Sequence, residues 1–198
     1  MSSDSRRDLN AQTTRAAIVV AGRKAFGRDG FTAAALGDIA KSARVTTGAL
    51  YHHFADKKAL FRAVAENLEE ELLGRIAVLV AEESDPRARL RAGVLATLDL
   101  ATEPSVARII LHDAPSVIGG AEWREIEKRY AFGAMIGMLD AIKEAGAGKI
   151  RDSELTASIL LGALIEAATT IMLSKNPAKA LEDARAAMRD LVDALAGP

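Results

Sequence analysis

Residues 36–54, LGDIAKSARVTTGALYHHF, decide how this chain folds. Ile39 and Ala43 are four residues apart, which is the spacing of one face of a helix. The helical pattern breaks at Arg44, and the hydroxyl of Thr46 is then placed to cap a second helix. The stretch therefore predicts two short helices joined by a tight turn.

The second of these helices has two faces of different character. Leu50 and Phe54 are four residues apart, so they share one side and are able to pack on the first helix. The opposite side carries small or hydrogen-bonding residues, namely Thr47, Gly48, Tyr51 and His52. An apolar back with such a front suits a recognition helix in the major groove of DNA.

These residues also carry a resemblance to a known family. Residues 14–64 are similar to the N-terminal helix-turn-helix of tetracycline-repressor-like (TetR family) transcription regulators. The most specific part is the string GALYHHF, which follows DIA at Asp38 and precedes Lys57. The resemblance implies an all-α fold, with a three-helix helix-turn-helix DNA-binding domain over residues 1–55. A six-helix ligand-binding and dimerisation domain is expected over residues 56–198.

The composition of the 198-residue chain bounds its chemistry. Hydrophobic residues make up 49% of it, which is enough for a sizeable core. There is no cysteine, so disulfides and thiolate metal sites are excluded, and no cofactor is predicted. His52 and His53 are adjacent and splay apart on a helix, so they do not predict a metal site. The polar N-terminus lacks the apolar segment of a secretory signal, and a cytoplasmic location is expected.

The net charge of −1 hides an asymmetry between the two ends of the chain. Residues 1–63 contain 11 Lys/Arg and 5 Asp/Glu, whereas residues 64–198 contain 15 and 22. A basic head on an acidic body favours contact between nucleic acid and the head alone. Chance clustering of solvated charges is the alternative explanation.

Helical spacing also outlines the remaining elements. The predicted helices cover residues 11–28, 56–83, 87–102, 104–111, 121–145, 152–174 and 177–196. A loop is expected over residues 116–120. Residues 155–173 are apolar and long enough for a membrane span, but Glu166 lies near their centre, so we expect a buried helix.

The resemblance implies that two copies of the recognition helix enter successive major grooves of a near-palindromic operator. Thr47 and Ala49 are then expected to read bases. Phosphate contacts are assigned to Tyr51, His52 and Lys57, with close backbone approach at Gly48 and further contributions from Arg44 and Thr46. The chain departs from the family pattern in having Ala34 and Ala35 where a capping Thr or Ser is usual, and Arg44 where glycine is usual.

The second domain is expected to bind a small apolar or aromatic effector and to dimerise. Aromatic, sulfur and polar residues predict the cavity: His112, Trp123, Tyr130, Met135, Met138 and Glu166. Plain core packing explains the apolar members equally well. Small and aliphatic residues predict the interface: Leu160, Ala163, Leu164, Ala167, Ala168, Ile171 and Leu191.

The sequence thus predicts a homodimeric, ligand-responsive repressor of transcription. Two other classes of protein stay open. One is a DNA-binding protein without sequence preference, and the other is an all-helical enzyme. His112 and Asp113 are the only pair that suggests acid–base chemistry, but neighbours on a helix point about 100° apart and no catalytic motif accompanies them.

Overall fold

The computed structural model describes the backbone of residues 3–197 and the side chains of residues 9–197. All regular structure in this range is helical. The helices are α1 (Ser3–Ala33), α2 (Leu36–Ser42), α3 (Thr47–His53), α4 (Lys57–Leu79), α5 (Pro86–Ala101), α6 (Pro104–Val106), a π-helix (Ala107–Asp113), α7 (Ala114–Val117), α8 (Gly120–Glu127), α9 (Ala131–Glu144), α10 (Ser153–Leu173) and α11 (Pro177–Ala196). The predicted all-α fold is confirmed.

Helices α1, α2 and α3 pack as a small head around one apolar core. The stripe of α1 includes Ile18 and Phe26, both fully buried, and it meets Ile39 of α2 and Leu50 of α3. Helix α1 begins at Ser3, earlier than predicted. Its regular conformation breaks at Gly30, whose φ of 78° is a left-handed value that favours glycine.

The turn and the caps of the head follow the sequence closely. The Thr46 hydroxyl accepts a hydrogen bond from the Ala49 N–H at 3.1 Å and so caps α3. Helix α2 has Ala35 at its N-cap and no side-chain cap, so the usual cap is lost. Arg44 adopts a φ of 58° in the turn, which costs a non-glycine residue about 1 kcal/mol.

Helix α4 joins the head to the rest of the protein. Asp56 caps it by accepting a hydrogen bond from the Ala59 N–H at 2.7 Å. Five residues after Asp56, the fully buried Phe61 packs edge-to-face on Phe26 at 5.1 Å and on Phe31 at 5.3 Å between ring centroids. Each such aromatic pair contributes about 1 kcal/mol beyond its buried area. The first two turns of α4 are therefore fixed to the head.

A second core holds the body together. It lies between α5, α9, α10 and α11 and contains the fully buried residues Leu90, Leu98, Leu139 and Leu160. The bounds of α5, α10 and α11 agree with the predicted helices to within about one residue, because each begins at a capping Asp or Asn.

The middle of the chain differs from the prediction in two places. The helix expected over residues 121–145 is two helices, because the chain turns at Tyr130, and a Cβ at Gly133 would lie 1.9 Å from the Lys128 carbonyl oxygen. The segment from α6 to α7 does not break at Pro115 as expected. It continues through the π-helix and bends only at Gly119, whose φ is 108°.

The prediction that residues 155–173 form a buried helix is wrong in part. By length and a mean hydropathy of 1.7, α10 is able to cross a membrane, which is weak evidence, and 28% of that apolar stretch is buried within the chain. One face of α10 packs in the body core, while Leu155, Ile159 and Leu173 on the other are 59%, 55% and 81% exposed. One side of this helix is thus exposed and largely apolar.

Candidate nucleic-acid interface and ligand cavity

The recognition helix α3 rests on a rigid support. Leu50 is fully buried and Phe54 nearly so, and the Arg15 guanidinium lies 5.0 Å from the centre of the Phe54 ring. The turn that leads into α3 is closed by a hydrogen bond of 3.0 Å from the Val45 N–H to the Ala40 carbonyl. The orientation of α3 on the head is therefore set by buried contacts.

The front of α3 is free of contacts with the body. Thr47, Gly48, Tyr51 and His52 are all exposed, and the Tyr51 side chain is 51% exposed. Ala49 is half-buried, so only part of its methyl group is presented to a partner. Arg44 and Thr46 are also exposed at the start of this surface, although the Thr46 hydroxyl already accepts the capping bond.

Gly48 is not required by the fold. Its φ is not left-handed, and a Cβ placed there would meet only the Thr46 hydroxyl, at 3.9 Å. Because the protein itself leaves room for a side chain, the open space at this position is available to an outside partner. A DNA backbone that approaches α3 closely would use such a space.

Lys57 lies beside this surface and is held in place. Its Nζ donates to the Thr32 carbonyl at 3.0 Å and lies 4.9 Å from the centre of the Phe31 ring. Lys58 also donates to a carbonyl, that of Ile118 at 3.3 Å, but this one belongs to the body. An ammonium group has three donors, so Lys57 keeps hydrogen-bonding capacity for a phosphate.

The body contains a narrow, mainly apolar cavity beneath the head. The volume open to the centre of a water molecule is about 60 Å³. Helices α4, α5, α6, α8, α9 and α10 and the π-helix supply its wall: Glu69, Leu72, Ile76, Thr97, Leu100, Ala101, Val106, Ile110, Leu111, Glu127, Ala131, Phe132, Met135 and Leu161.

The predicted ligand residues do not meet at this cavity, and only Met135 lines it. Met138 lies in a smaller crevice next to it. Trp123 is buried in the core that extends from the head, and Tyr130 packs against that core, because the turn at residue 130 separates α8 from α9. His112 and Glu166 are exposed on the outside of the body, and neither belongs to the wall of this cavity.

Two buried carboxylates that the sequence analysis missed lie in the cavity wall. Glu69 is 5% exposed, and burial together with the charge of Glu127 raises its pKa to about 8. Burial also raises the pKa of Glu127, against the opposing influence of the Arg124 guanidinium and the Trp123 indole N–H. Arg124 Nη1 lies 3.3 Å from Glu127 Oε2.

A signal for Glu69 was present in the sequence. Ala65, Glu69, Leu72 and Ile76 follow one another at intervals of four, three and four residues, so the carboxylate stands within an apolar stripe of α4. Glu127 gave a weaker signal, because it follows Trp123 by four residues on a helix whose end was not predicted.

The π-helix connects the cavity to the head. Ile110 and Leu111 line the cavity, and two residues later Asp113 Oδ2 accepts a hydrogen bond of 2.7 Å from the Phe31 N–H. A Cβ at Gly30 would lie 3.0 Å from Arg108 Nη1, so the head approaches this segment closely. The π-helix therefore contacts both the cavity and the head.

The predicted interface residues divide between two faces. Leu160, Leu164, Ala168 and Ile171 point into the body of their own chain and are not available to a partner. Ala163, Ala167 and Leu191 are half-buried and line a shallow groove between α10 and α11. Beside them lies an exposed row that consists of Leu155, Ile159, Gly162, Glu166, Thr170 and Leu173.

A two-helix unit with a buried back and an exposed polar front, carried on a helical body, defines a helix-turn-helix DNA-binding protein. Residues 18–64 match the family described as bacterial regulatory proteins, tetR family. Residues 87–195, more than half of the chain, match the tetracyclin repressor-like C-terminal domain. The chain belongs to the TetR family of transcriptional regulators. Members of this family bind operator DNA, dimerise and bind small-molecule effectors.

Individual relatives agree with this assignment. A TetR-family transcriptional regulator from Pectobacterium atrosepticum is 32% identical with a TM-score of 0.77, over 96% of this chain and 97% of that one. The transcriptional regulator UidR of Escherichia coli K12 is 42% identical over 65 residues, so the match spans about a third (33%) of each protein. RolR, solved with resorcinol, shares the fold at 19% identity and a TM-score of 0.71, over 96% and 97% of the two chains.

The buried Glu69 generates a prediction about stability and pH. Its pKa rises from 4.5 when unfolded to about 8 when folded, so the folded state binds the extra proton between these values. The free energy of unfolding should therefore fall as pH rises from 5 to 8, with a limiting slope of about 1.4 kcal/mol per pH unit from this group. Urea unfolding of the wild type and Glu69→Gln, at one protein concentration, measures the difference between their slopes.

The control is Glu70→Gln, because Glu70 is the exposed neighbour on the same helix. Its pH profile should follow that of the wild type. Parallel profiles for the wild type and Glu69→Gln would mean that Glu69 is not held protonated in the folded protein.

Proposed function

We propose that this protein is a homodimeric, ligand-responsive repressor that binds a near-palindromic operator in the cytoplasm. The observation that carries the proposal is the exposed front of α3 on a fully buried back, linked through the π-helix to a cavity in the body. The first part supports sequence recognition, and the second supports control by an effector.

The DNA contacts follow from the exposure of α3. Thr47 presents a hydroxyl and a methyl group at the centre of the front, which suits a base edge in the major groove. Tyr51, His52 and Lys57 flank it and suit phosphates on either side, while the backbone at Gly48 is open to close approach. Ala49 is proposed as a minor reader, since it is half-buried.

The exposed row of α10 supports dimerisation. Its residues recur at intervals of three or four, so they form one continuous stripe along the helix. Together with the groove lined by Ala163, Ala167 and Leu191, the stripe gives an apolar surface with a small-residue centre. A two-fold axis through this surface would pair α10 and α11 with their copies in a four-helix arrangement and hold two heads at a fixed spacing.

Control by an effector requires that the cavity and the head share a movable element. The π-helix meets this requirement, because its inner residues line the cavity and its last residue binds the head. A ligand that changes the position of Ile110 and Leu111 would act on Asp113 and hence on Phe31. An effector with different affinities for two head spacings then changes the affinity for the operator. By linkage, the operator changes the affinity for the effector by the same factor.

The operator experiment uses selection from a random duplex library, followed by affinity measurements on the selected site, its single-base variants and random DNA. Thr47→Ala should reduce discrimination at one or two base positions by about 5-fold or more, with little change on random DNA. Lys57→Ala should weaken binding to all sequences and lower the salt slope of the dimer by about 2, since each lost phosphate contact removes roughly 0.9 counterion.

Lys58→Ala is the matched control, because its ammonium binds a carbonyl of the body. Its salt slope should equal that of the wild type. A selection that enriches no sequence would contradict the proposal and favour a DNA-binding protein without sequence preference.

The dimer has its own test. Ile159→Glu places a charge twice at the two-fold surface, where burial without a partner is costly, so light scattering should report a folded monomer with reduced operator affinity. Val78→Glu is the control, because Val78 is an exposed apolar residue of α4. A dimer of unchanged mass for Ile159→Glu would remove this face of α10 from the interface.

The coupling is tested at Asp113. Asp113→Ala removes the hydrogen bond to Phe31, and a bond of about 1 kcal/mol corresponds to about 5-fold in coupling. The variant should bind effector as the wild type does but show a smaller ratio of operator affinities without and with effector. His112→Ala, an exposed neighbour in the π-helix, should keep the full ratio. An unchanged ratio in Asp113→Ala would exclude this route.

A further inference from the structure

Glu69 is a buried carboxylate without a partner. Within the described residues 9–197, no group donates a hydrogen bond to it and no cation forms an ion pair with it, although its side chain lines the cavity and is 5% exposed. Burying an unpaired carboxylate is costly, and a protein that retains one needs a reason beyond packing.

The second carboxylate makes this place negative whenever Glu69 is ionised. Glu127 is 8% exposed and lies near Arg124, whose Nη1 is 3.3 Å from Glu127 Oε2. The Arg124 guanidinium also stacks 4.6 Å from the centre of the Phe132 ring, and it is not part of the cavity wall. When Glu69 loses its proton, two carboxylates and one guanidinium therefore leave one negative charge to be balanced from inside the cavity.

The rest of the cavity wall is apolar, so the ion that supplies the balancing charge should also have an apolar part. Apart from the two carboxylates, the lining consists of aliphatic, aromatic and methionine side chains and the half-buried Thr97. A strongly hydrated metal ion would lose its water without gaining a full set of oxygen ligands, and an anion would be repelled. An organic ion with a compact apolar portion fits both the charge and the narrow apolar wall.

We propose that the cavity binds an apolar organic cation, with a protonated amine or quaternary ammonium group held between Glu69 and Glu127 and its hydrocarbon part against Phe132 and Met135. This inference rests on the proposed function only in taking the cavity as the effector site. It adds the chemical class of the effector. A cation adds attraction to both carboxylates, whereas a neutral molecule of the same size gains only the apolar contacts.

Binding of a cation should also change the protonation of Glu69. Burial and Glu127 hold the pKa of Glu69 near 8, so at pH 7 the empty cavity keeps this carboxyl mostly protonated. Glu127 on α8 is the charged group that raises this pKa, and Arg124 on the same helix acts on Glu127. Burial raises the pKa of Tyr130 in the turn after α8, and Glu69 adds to that rise. An ammonium ion placed beside Glu69 favours the carboxylate form, so its binding should release close to one proton to the buffer.

The experiment compares three ligands of similar size: benzylammonium, benzyl alcohol and benzoate. Each is titrated at pH 7 into the full-length protein, with the fluorescence of Trp123, the only tryptophan, and calorimetry as readouts. Trp123 reports on the cavity because its indole N–H faces Glu127. We expect benzylammonium to bind at least tenfold more tightly than benzyl alcohol, and benzoate to bind least.

Glu69→Gln should lower the affinity for benzylammonium at least tenfold and leave that for benzyl alcohol within about threefold. Glu70→Gln, the exposed neighbour, should change neither. Calorimetry of the wild type in two buffers of different ionisation enthalpy gives a second test that needs no variant. It should show proton release with benzylammonium and none with benzyl alcohol.

Three results would overturn the inference: no binding of benzylammonium at millimolar concentration, equal affinity for ammonium and alcohol, or ammonium binding without proton release and without dependence on Glu69. Operator affinity measured in the same titrations separates this inference from the proposed function. Operator release by a neutral effector would retain the repressor and reject the cation. Cation binding through Glu69 with unchanged operator affinity would retain the cation site and reject ligand-responsive repression.

Discussion

The packing of Phe61 on Phe26 and Phe31 is the interaction on which the rest of the structure depends. It fixes the start of α4 to the head, while the same helix continues without interruption to Glu69, Leu72 and Ile76 in the cavity wall. One continuous helix is a stiff connection over this length. The direction of α4 therefore affects both the orientation of α3 and the width of the cavity. A tilt of this helix would change the two together.

The buried carboxylates show that this body is not built for maximum stability. Glu69 and Glu127 occupy positions where apolar side chains would pack without a desolvation cost. The loss is tolerable because two apolar cores surround the site, one extending from the head and one between α5, α9, α10 and α11. Such departures from ideal packing are common at functional sites that a well-packed surround supports, which is consistent with the role proposed for the cavity.

Local signals in the sequence were sufficient for much of the fold. The caps at Thr46 and Asp56 and the starts of α10 and α11 act within three residues, so the printed sequence contains them completely. The turn at Tyr130 is different. It depends on a close approach between Gly133 and the Lys128 carbonyl within an apolar run that also fits one long helix.

Most of the lining of the predicted cavity was missed because the wall is assembled from seven elements spread over residues 69–161. Spacing identifies the faces of a helix, but it does not say which of two apolar faces meets a void. Trp123 and Tyr130 were predicted there from their size, and size favours core burial equally. Glu166 was assigned a buried role from the apolar residues around it, yet those residues continue onto an exposed face of α10.

The π-helix has a geometric consequence of its own. A π turn contains about one residue more than an α turn of the same kind, and one residue in an α-helix corresponds to roughly 100° of rotation. The segment Ala107–Asp113 therefore contains about one residue more per turn than an α-helix would, between the cavity and the head. If a ligand in the cavity converted the π turn into an α turn, the side chains that follow it would rotate by that angle. The Asp113 carboxylate would then lose its hydrogen bond to Phe31. Such a change has only two end states, a π turn and an α turn, so the response of the head to an effector would be stepwise instead of graded.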